Sequence, residues 1–243
     1  MSYSRNNNSK YAEVYITQLF ASGTFKNVYE GEYIGGPRDG EKCVCKEFKT
    51  GSVHEAHYFD EEMKIVSCAQ KVIDDWNNAG FFSKRVLLNT PAVWTRIDTG
   101  VKALVEPMIE NFEKFNSNSG WVDTTGGIWS QAMQALSHFS YHNSGGQLLL
   151  CDLQGASYSD GYILTDPVIM SNTQMYGPAD LGSDGIDSFF QRHQCGAFCK
   201  QEWQKPKYQG TAMLAMIAMT KGTSMVARLP TRASRNPLTR LQE

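Results

Sequence analysis

Residues 147–182, QLLLCDLQGASYSDGYILTDPVIMSNTQMYGPADLG, are the stretch on which the fold prediction rests. The stretch opens on an apolar run of three leucines, typical of a buried strand, that ends just before Asp152 and Gln154. A second extended segment, residues 162–164, leads to Asp166, and the proline that follows disfavours continuation into a helix. The pattern therefore predicts two carboxylates and one amide carbonyl at the ends of neighbouring strands.

Oxygen ligands of this kind suit hard metal ions and can hold them against phosphate groups. The cation that such a centre also needs is available upstream as Lys46, near the end of a predicted strand. Together, Lys46, Asp152, Gln154 and Asp166 therefore favour a phosphoryl-transfer centre. Spacing alone leaves two alternatives open: the acids are turn carboxylates that accept backbone hydrogen bonds, and Lys46 is an outward-facing strand residue.

The loop GPADLG at residues 177–182 follows at once. Its backbone N–H groups, with the N-terminus of the next helix, could cradle a phosphate. It matches neither G-x-x-x-x-G-K nor G-x-G-x-x-G, so an ordinary turn is the alternative.

A possible zinc site lies after this stretch. His193, Cys195 and Cys199 place three soft ligands within seven residues, and a tetrahedral zinc site needs a fourth. His138, near the end of a predicted helix, is the candidate, although an ordinary core or surface histidine is the alternative. Four protein ligands leave no open position, so the site would be structural.

Composition excludes several classes of protein. The chain has 243 residues, is 41% hydrophobic and carries a formal net charge of −2, which gives no reason to expect nucleic acid as a partner. The longest apolar stretch, residues 212–219, is far shorter than the roughly 20 residues of a membrane span. The first ten residues lack a signal-peptide pattern, and six cysteines are too sparse for a disulfide framework. We therefore expect free thiols or metal ligands and a cytoplasmic location.

The chain is predicted to divide into four segments. Residues 1–10 are polar and expected to be disordered. An N-terminal lobe at 11–105 and a C-terminal lobe at 106–204 meet in a connector rich in Pro, Asn, Ser and Gly. The last segment, 205–243, is a basic tail with seven Lys or Arg and one acid.

Apolar periodicity and turn residues predict the elements in more detail. In order, they are a hairpin across 11–33 turning at 22–24, a turn at 35–40, a strand at 41–49, a helix at 54–77, strands at 86–88, 92–94 and 103–105, a helix at 126–141 and a short helix at 186–192. The first helix is expected to pack on the sheet before it. The link between Asp152 and Asp166 is expected to form a hairpin with its tip at 159–161.

Several motifs in a fixed order resemble one known family. They are SGTFKNVYEG (22–31), VCKEF (44–48), VEPMIE and KFNSNSGWV (within 105–122), LSHFSYHNSGGQLLLCDLQG (136–155), LTDP (164–167), GPADLG (177–182) and FFQRHQCGAFC (189–199). This set resembles the alpha-kinases, atypical protein kinases that include myosin heavy chain kinases, elongation-factor kinase and channel-linked kinases. Neither H-R-D nor D-F-G of ordinary protein kinases is present.

The resemblance implies an α+β, two-lobed, atypical protein-kinase-like fold with a structural zinc site in the C-terminal lobe. It implies catalytic roles for Lys46, Asp152 and Asp166, with Asp166 nearest the transferred phosphate. It also implies that Glu106 and Met108 lie in a hinge that receives adenine through backbone groups. The implied nucleotide-binding residues are Gly23, Lys26, Lys46, Glu106, Met108, Gly177, Asp180 and Gly182; the implied metal ligands are Gln154 and Asp166 for magnesium and His138, His193, Cys195 and Cys199 for zinc.

The implied function is a serine/threonine protein kinase that transfers the γ-phosphoryl group of Mg-ATP to a protein Thr or Ser hydroxyl. Its partners would be ATP and a protein substrate. Thr231, Ser234 and Thr239 in the basic tail are possible autophosphorylation sites. The alternative is a pseudokinase, or a zinc-stabilised nucleotide-binding interaction module without turnover.

Overall fold

The computed structural model describes residues 3–49, 55–125, 127–159, 161–207 and 238–243. The chain forms two compact units. Of the described residues, those within 4–60 and 89–109 and residues 238–243 make up the barrel unit, whereas residue 3, residues 61–88 and those within 110–207 make up the α/β unit.

The described residues form thirteen strands and three helices. The strands are β1 (Ser4–Arg5), β2 (Tyr11–Ser22), β3 (Lys26–Ile34), β4 (Lys42–Phe48), β5 (Arg85–Asn89), β6 (Ala92–Arg96), β7 (Lys102–Pro107), β8 (Glu113–Lys114), β9 (Leu148–Cys151), β10 (Gln154–Tyr158), β11 (Gly161–Leu164), β12 (Val168–Ser171) and β13 (Thr239–Gln242). The helices are α1 (Glu55–Ala79), α2 (Ile128–Asn143) and α3 (Gly182–Phe190). None of the helices in the described ranges has the length and apolar character needed to cross a bilayer.

Six strands of the barrel unit close on themselves in the order β13, β2, β3, β4, β7, β6. Alternate side chains point inward, as the strand period of two requires. The fully buried interior is apolar and includes Val14, Tyr33, Cys45, Trp94 and Leu241. The predicted hairpin between β2 and β3 and the strand that carries Lys46 are therefore confirmed.

Four strands of the α/β unit lie in the order β5, β11, β10, β8, and β12 pairs with β9 beside them. Strands β10 and β11 form an antiparallel hairpin in which Tyr158 opposes Gly161, so the expected tip is confirmed. The hairpin is tight at Gly155, where a Cβ atom would lie 1.8 Å from the Ile163 carbonyl oxygen.

Helix α1 packs on the preceding sheet, as predicted, only at its N-terminal end, where the Phe59 ring lies edge-on to Phe48 of β4 with the ring centroids 5.1 Å apart. From Glu61 onward it belongs to the α/β unit, and its buried face, which includes Val66, Ile73 and Trp76, packs in one core with Phe139 of α2. The reason is that its apolar stripe faces another apolar helix rather than only the preceding sheet. Residues 61–88 therefore lie with the C-terminal rather than the N-terminal part of the chain.

Three further expectations need correction. Residues 3–10 are not disordered: Ser4–Arg5 is a strand, and the buried Asn7 side chain donates a 2.9 Å hydrogen bond to the Val105 carbonyl. Helix α3 starts at Gly182, four residues before the predicted start. The predicted tail contains strand β13. His54, Thr231 and Ser234 lie outside the described residues.

We expect Gly155→Ala to lower the free energy of unfolding by about 3 kcal/mol, because its Cβ would collide with backbone that cannot move without opening the hairpin. Urea denaturation measures the loss. The matched control is Gly127→Ala, where a Cβ has open space, and the change should stay under about 1 kcal/mol. Equal stability of the two variants would contradict the close approach.

Candidate functional site

The two aspartates of the central stretch share an uncommon backbone conformation. Asp152 follows β9 with φ of 58°, and Asp166 follows β11 with φ of 47°. The Thr165 N–H donates to the Gln154 carbonyl over 3.0 Å, which ties the end of β11 to the start of β10. The acids and the amide therefore lie at strand ends, although β9 and β11 belong to different sheets, and the charge of Asp166 acts on Asp152.

Lys114 is the cation of this cluster, and sequence reasoning missed it. Its Nζ lies 2.8 Å from Asp152 Oδ1, with 8% and 17% of the two side chains exposed. Burial raises the pKa of the Asp152 carboxyl, the Lys114 ammonium opposes that rise, and the Asp166 charge adds to it. Gln154 Nε2 also donates to Asp152 Oδ2 over 3.3 Å, so its Oε1 is the amide atom left to act as an oxygen ligand.

Asn116 holds the turn that carries Asp152. It is fully buried, and its Oδ1 accepts a 2.9 Å bond from the Leu153 N–H. Its Nδ2 donates to Ser137 Oγ (3.0 Å) and Gln134 Oε1 (3.2 Å) on α2. The only sequence signal for Lys114 and Asn116 was the motif KFNSNSGWV, whose Asn and Ser content predicted a connector.

Lys46 is buried in the barrel unit and not exposed to solvent, and it lies on the face of β4 opposite the apolar barrel core that Cys43 and Cys45 enter. Its Nζ is 2.8 Å from Glu106 Oε1, and the two side chains are only 2% and 3% exposed. A buried ammonium needs such a partner, because desolvation otherwise disfavours the charged form. Lys46 is therefore not a solvent-exposed strand residue. The Glu106 side chain pairs with Lys46, a role that the hinge interpretation did not include.

The other residues of the predicted nucleotide set in this unit lie at strand ends. The Gly23 N–H donates to the Lys26 carbonyl over 2.9 Å in the turn between β2 and β3. The Met108 N–H donates to the Lys42 carbonyl, and the Met108 carbonyl accepts from Arg5 Nη1 over 3.2 Å. Both backbone groups of Met108 therefore already have a partner inside the unit, and only the second lone pair of the Met108 carbonyl is left for adenine.

The loop at 177–182 is organised around Asp180. This buried carboxylate accepts bonds from the N–H and hydroxyl of Ser171 and from the N–H groups of Tyr176 and Gly182, over 2.7 to 3.2 Å. Gly177 and Gly182 supply the positive φ angles of 75° and 70° that the loop requires. The geometry makes Asp180 an internal anchor, and the Gly182 N–H proposed for phosphate is already bonded.

The four predicted zinc ligands come together in the α/β unit. Their ligand atoms all lie within 4.8 Å of one another. His138 Nδ1 is 3.1 Å from His193 Nε2 and 3.7 Å from Cys195 Sγ, and Cys199 Sγ is 3.6 Å from His193 Nε2. Tetrahedral zinc separates its N and S ligands by about 3.3–3.8 Å, so the spacing fits. The second ring nitrogen of His138 lies 3.1 Å from the Gln204 carbonyl, as a metal-binding histidine requires.

The electrostatics of this cluster also suit a cation. Burial lowers the pKa of His138 to about 4 and of His193 to about 3, so both imidazoles are neutral and offer lone pairs at pH 7. Burial raises the pKa of the Cys199 thiol to about 11, so a thiolate there at neutral pH needs a nearby positive charge. The residues present therefore fit zinc.

Comparison with known proteins settles the family. The profile of the alpha-kinase family matches residues 21–199. The chain belongs to the alpha-kinase family. This alpha-kinase chain is 32% identical over 178 residues to alpha-protein kinase vwkA of Dictyostelium discoideum, which covers 70% of the chain and 28% of vwkA. It is 30% identical over 186 residues to myosin heavy chain kinase B of the same organism, covering 74% and 24%.

A solved structure agrees with the α+β fold expected for an alpha-kinase. The C-terminally truncated alpha-kinase domain of a myosin heavy chain kinase matches with a TM-score of 0.67 and 25% identity, over 77% of this chain and 87% of that one. The expected fold class is thereby confirmed. The chain spans about a quarter of the length of the two Dictyostelium kinases.

We expect Lys114→Met to cost about 3 kcal/mol of stability at pH 7, because it leaves the Asp152 charge buried without a partner. The pKa of Asp152 is already raised in the fold and should rise further in the variant. A carboxyl whose pKa is higher in the folded than in the unfolded state lowers the stability of the fold as pH rises from the unfolded pKa to the folded pKa. The stability cost of Lys114→Met should therefore be smaller at pH 4 than at pH 7.

Urea denaturation at the two pH values measures this change. A second substitution, Asp152→Asn, should restore part of the stability of Lys114→Met. The control is Lys42→Met, which removes a 2.9 Å ion pair with Glu30 from a lysine that is 55% exposed and should cost less than about 1 kcal/mol. The same loss for Lys114→Met at both pH values would count against the ion pair.

We expect elemental analysis to find one zinc ion per folded chain, because the four ligands complete the tetrahedral coordination of a single ion. Cys195→Ser should lose zinc and unfold at lower temperature, since metal binding contributes folding free energy. Cys68→Ser, which lies outside the cluster, should keep its zinc. Well-folded protein without zinc would reject the site.

Proposed function

We propose that this chain is a Mg-ATP-dependent serine/threonine protein kinase of the alpha-kinase type. The observation that carries the proposal is the cluster at the ends of β9, β10 and β11, where two carboxylates, one amide oxygen and one buried lysine meet. Family membership supplies the reaction class, and the cluster supplies the groups that phosphoryl transfer needs.

Each residue of the cluster has a distinct task. The Gln154 Oε1 and the Asp166 carboxylate would hold magnesium, because the other end of the Gln154 amide is already donated to Asp152. The bound ion would neutralise charge on the phosphate oxygens. Asp152 orients the substrate hydroxyl and accepts its proton, a task for which a raised carboxyl pKa is suited. Lys114 keeps that carboxylate in place.

The barrel unit would bind the nucleotide. Lys46, held by Glu106, is the cation for the phosphates, with Gly23 and Lys26 at the turn beside them. Solved alpha-kinase domains of myosin heavy chain kinase A contain AMP or ADP, which supports a nucleotide site in this family. The Met108 side chain, which packs against the cluster of Ala21, Val28 and Val44, would contact the base together with the second lone pair of the Met108 carbonyl.

The remaining features agree with a reducing, cytoplasmic environment and a structural zinc ion. All six cysteines are free thiols, and two of them belong to the zinc cluster. Of the proposed autophosphorylation residues, Thr239 is 7% exposed in strand β13 and its hydroxyl donates to Asp98. Thr239 could therefore accept phosphate only after β13 leaves the barrel.

We expect wild-type protein to incorporate phosphate from Mg-ATP into itself or a basic protein substrate, and Asp166→Ala to lower the rate at least about 100-fold, because a magnesium ligand is lost. Mass spectrometry and a radiolabel assay measure the transfer. Asp184→Ala, an exposed acid in α3, is the matched control and should retain activity.

The result also separates the kinase from a pseudokinase. Nucleotide binding by wild type and by Asp166→Ala, with no phosphate transfer from either, would replace the proposal with a nucleotide-binding interaction module. Equal transfer by the two proteins would overturn the role of Asp166.

A further inference from the structure

Strand β13 is the piece that closes the barrel. It opposes β2 in four antiparallel residue pairs, from Thr239 with Val14 to Gln242 with Tyr11, and it opposes β6 in two. In the described barrel, β2 and β6 each have one other strand neighbour, β3 and β7. Without β13 the remaining five strands would be an open sheet with two edges that present unpaired backbone groups.

The side chains of β13 alternate in the way a bound peptide strand does. Leu241 is fully buried in the barrel core with Val14 and Trp94, and Thr239 also faces inward. Arg240 faces solvent, where its guanidinium pairs with Glu13 over 2.9 Å. Main-chain pairing on both sides with alternate side chains in pockets is the pattern of peptide recognition by strand addition.

The pocket for Thr239 has a defined charge. Its hydroxyl donates to Asp98 Oδ2 over 3.4 Å and accepts from Arg96 Nη2 over 3.5 Å. The Arg96 guanidinium already pairs with Glu47 (3.6 Å) and with Asp98 (3.3 Å). Two carboxylates around one guanidinium leave a net negative pocket, which accepts a neutral hydroxyl and repels a phosphate.

Strand β13 is also separate from the part of the chain that defines the family. The alpha-kinase profile ends at residue 199, before β13 begins at Thr239. Most of β2, including all four residues opposite β13, precedes the profile's start at residue 21. The residues that make this contact therefore lie outside the stretch that the profile matches.

We propose that the gap between the facing edges of β2 and β6 is a peptide-binding groove, which residues 239–242 occupy in this chain. The groove selects a short extended segment in which a small hydroxyl residue is followed two positions later by leucine. The groove recognises the leucine by burial and the hydroxyl by the Asp98–Arg96 pair. This inference does not depend on kinase activity, because it concerns only the edge strands of the barrel.

The experiment uses a synthetic fluorescein-labelled peptide of residues 237–243, PLTRLQE, and protein that lacks residues 238–243. Fluorescence anisotropy should show saturable binding, and excess unlabelled peptide should raise the melting temperature of the shortened protein. The Leu241→Asp peptide should bind at least about 30-fold more weakly, because the buried leucine is lost. The Arg240→Ala peptide should bind within about fivefold of wild type, since that ion pair is exposed.

A phosphorylated Thr239 peptide tests the charge of the pocket. It should bind at least about tenfold more weakly than the unmodified peptide. Equal or tighter binding of the phosphopeptide would overturn the selection of a neutral hydroxyl.

Variants of the 243-residue chain keep the groove testable if the shortened protein does not fold. The labelled peptide competes there with the chain's own strand, so it should bind the Leu241→Ala variant of this chain more tightly than the unaltered 243-residue chain. No binding to either the shortened protein or the Leu241→Ala variant would reject the groove, as would equal binding of the wild-type and Leu241→Asp peptides.

Discussion

The left-handed backbone at Asp152 and Asp166 is the constraint on which the polar cluster of the α/β unit depends. Such a conformation costs a residue other than glycine about 1–2 kcal/mol, so two such residues need compensation. At Asp152 the compensation is visible in the ion pair with Lys114, a hydrogen bond from the Asn118 backbone and the bond from the next residue, Leu153, to Asn116. Glycine would remove the strain but would supply no carboxylate. Aspartate is one of the few other residues that tolerate this conformation, and it places a carboxylate at each of the two strand ends.

The sequence predicted where the acids lie but not what holds them. Apolar runs and a proline mark the ends of β9 and β11 well, because strand ends are local features. The partners come from elsewhere in the chain: Lys114 lies in a two-residue strand that periodicity cannot detect, and Lys46 meets Glu106 only through the register of β4 and β7. Spacing within one strand could not distinguish a buried Lys46 from an exposed one. The distinction rests on a carboxylate 60 positions away.

The loop at 177–182 shows a different limit of composition. Its glycines predicted a turn, which they form with positive φ angles, and its N–H groups made phosphate binding chemically reasonable. The loop's own acid, Asp180, takes three nearby N–H groups and the Ser171 hydroxyl. Whether backbone donors face a ligand or an internal carboxylate is decided by side-chain rotamers, which local sequence does not specify.

Helix α2 joins the zinc cluster to the acidic cluster through consecutive side chains. Ser137 accepts a bond from Asn116, which holds the turn of Asp152, while His138 on the next position faces the zinc ligands. Three residues after Ser137, the Ser140 hydroxyl accepts a 2.7 Å bond from the Leu150 N–H in β9. A shift of this helix would therefore displace both the strand that leads to Asp152 and the amide that fixes the following residue. A metal ion held by His138 and its three partner residues would resist such a shift more strongly than packing alone, and it would thereby help to position acids to which none of those four residues belongs.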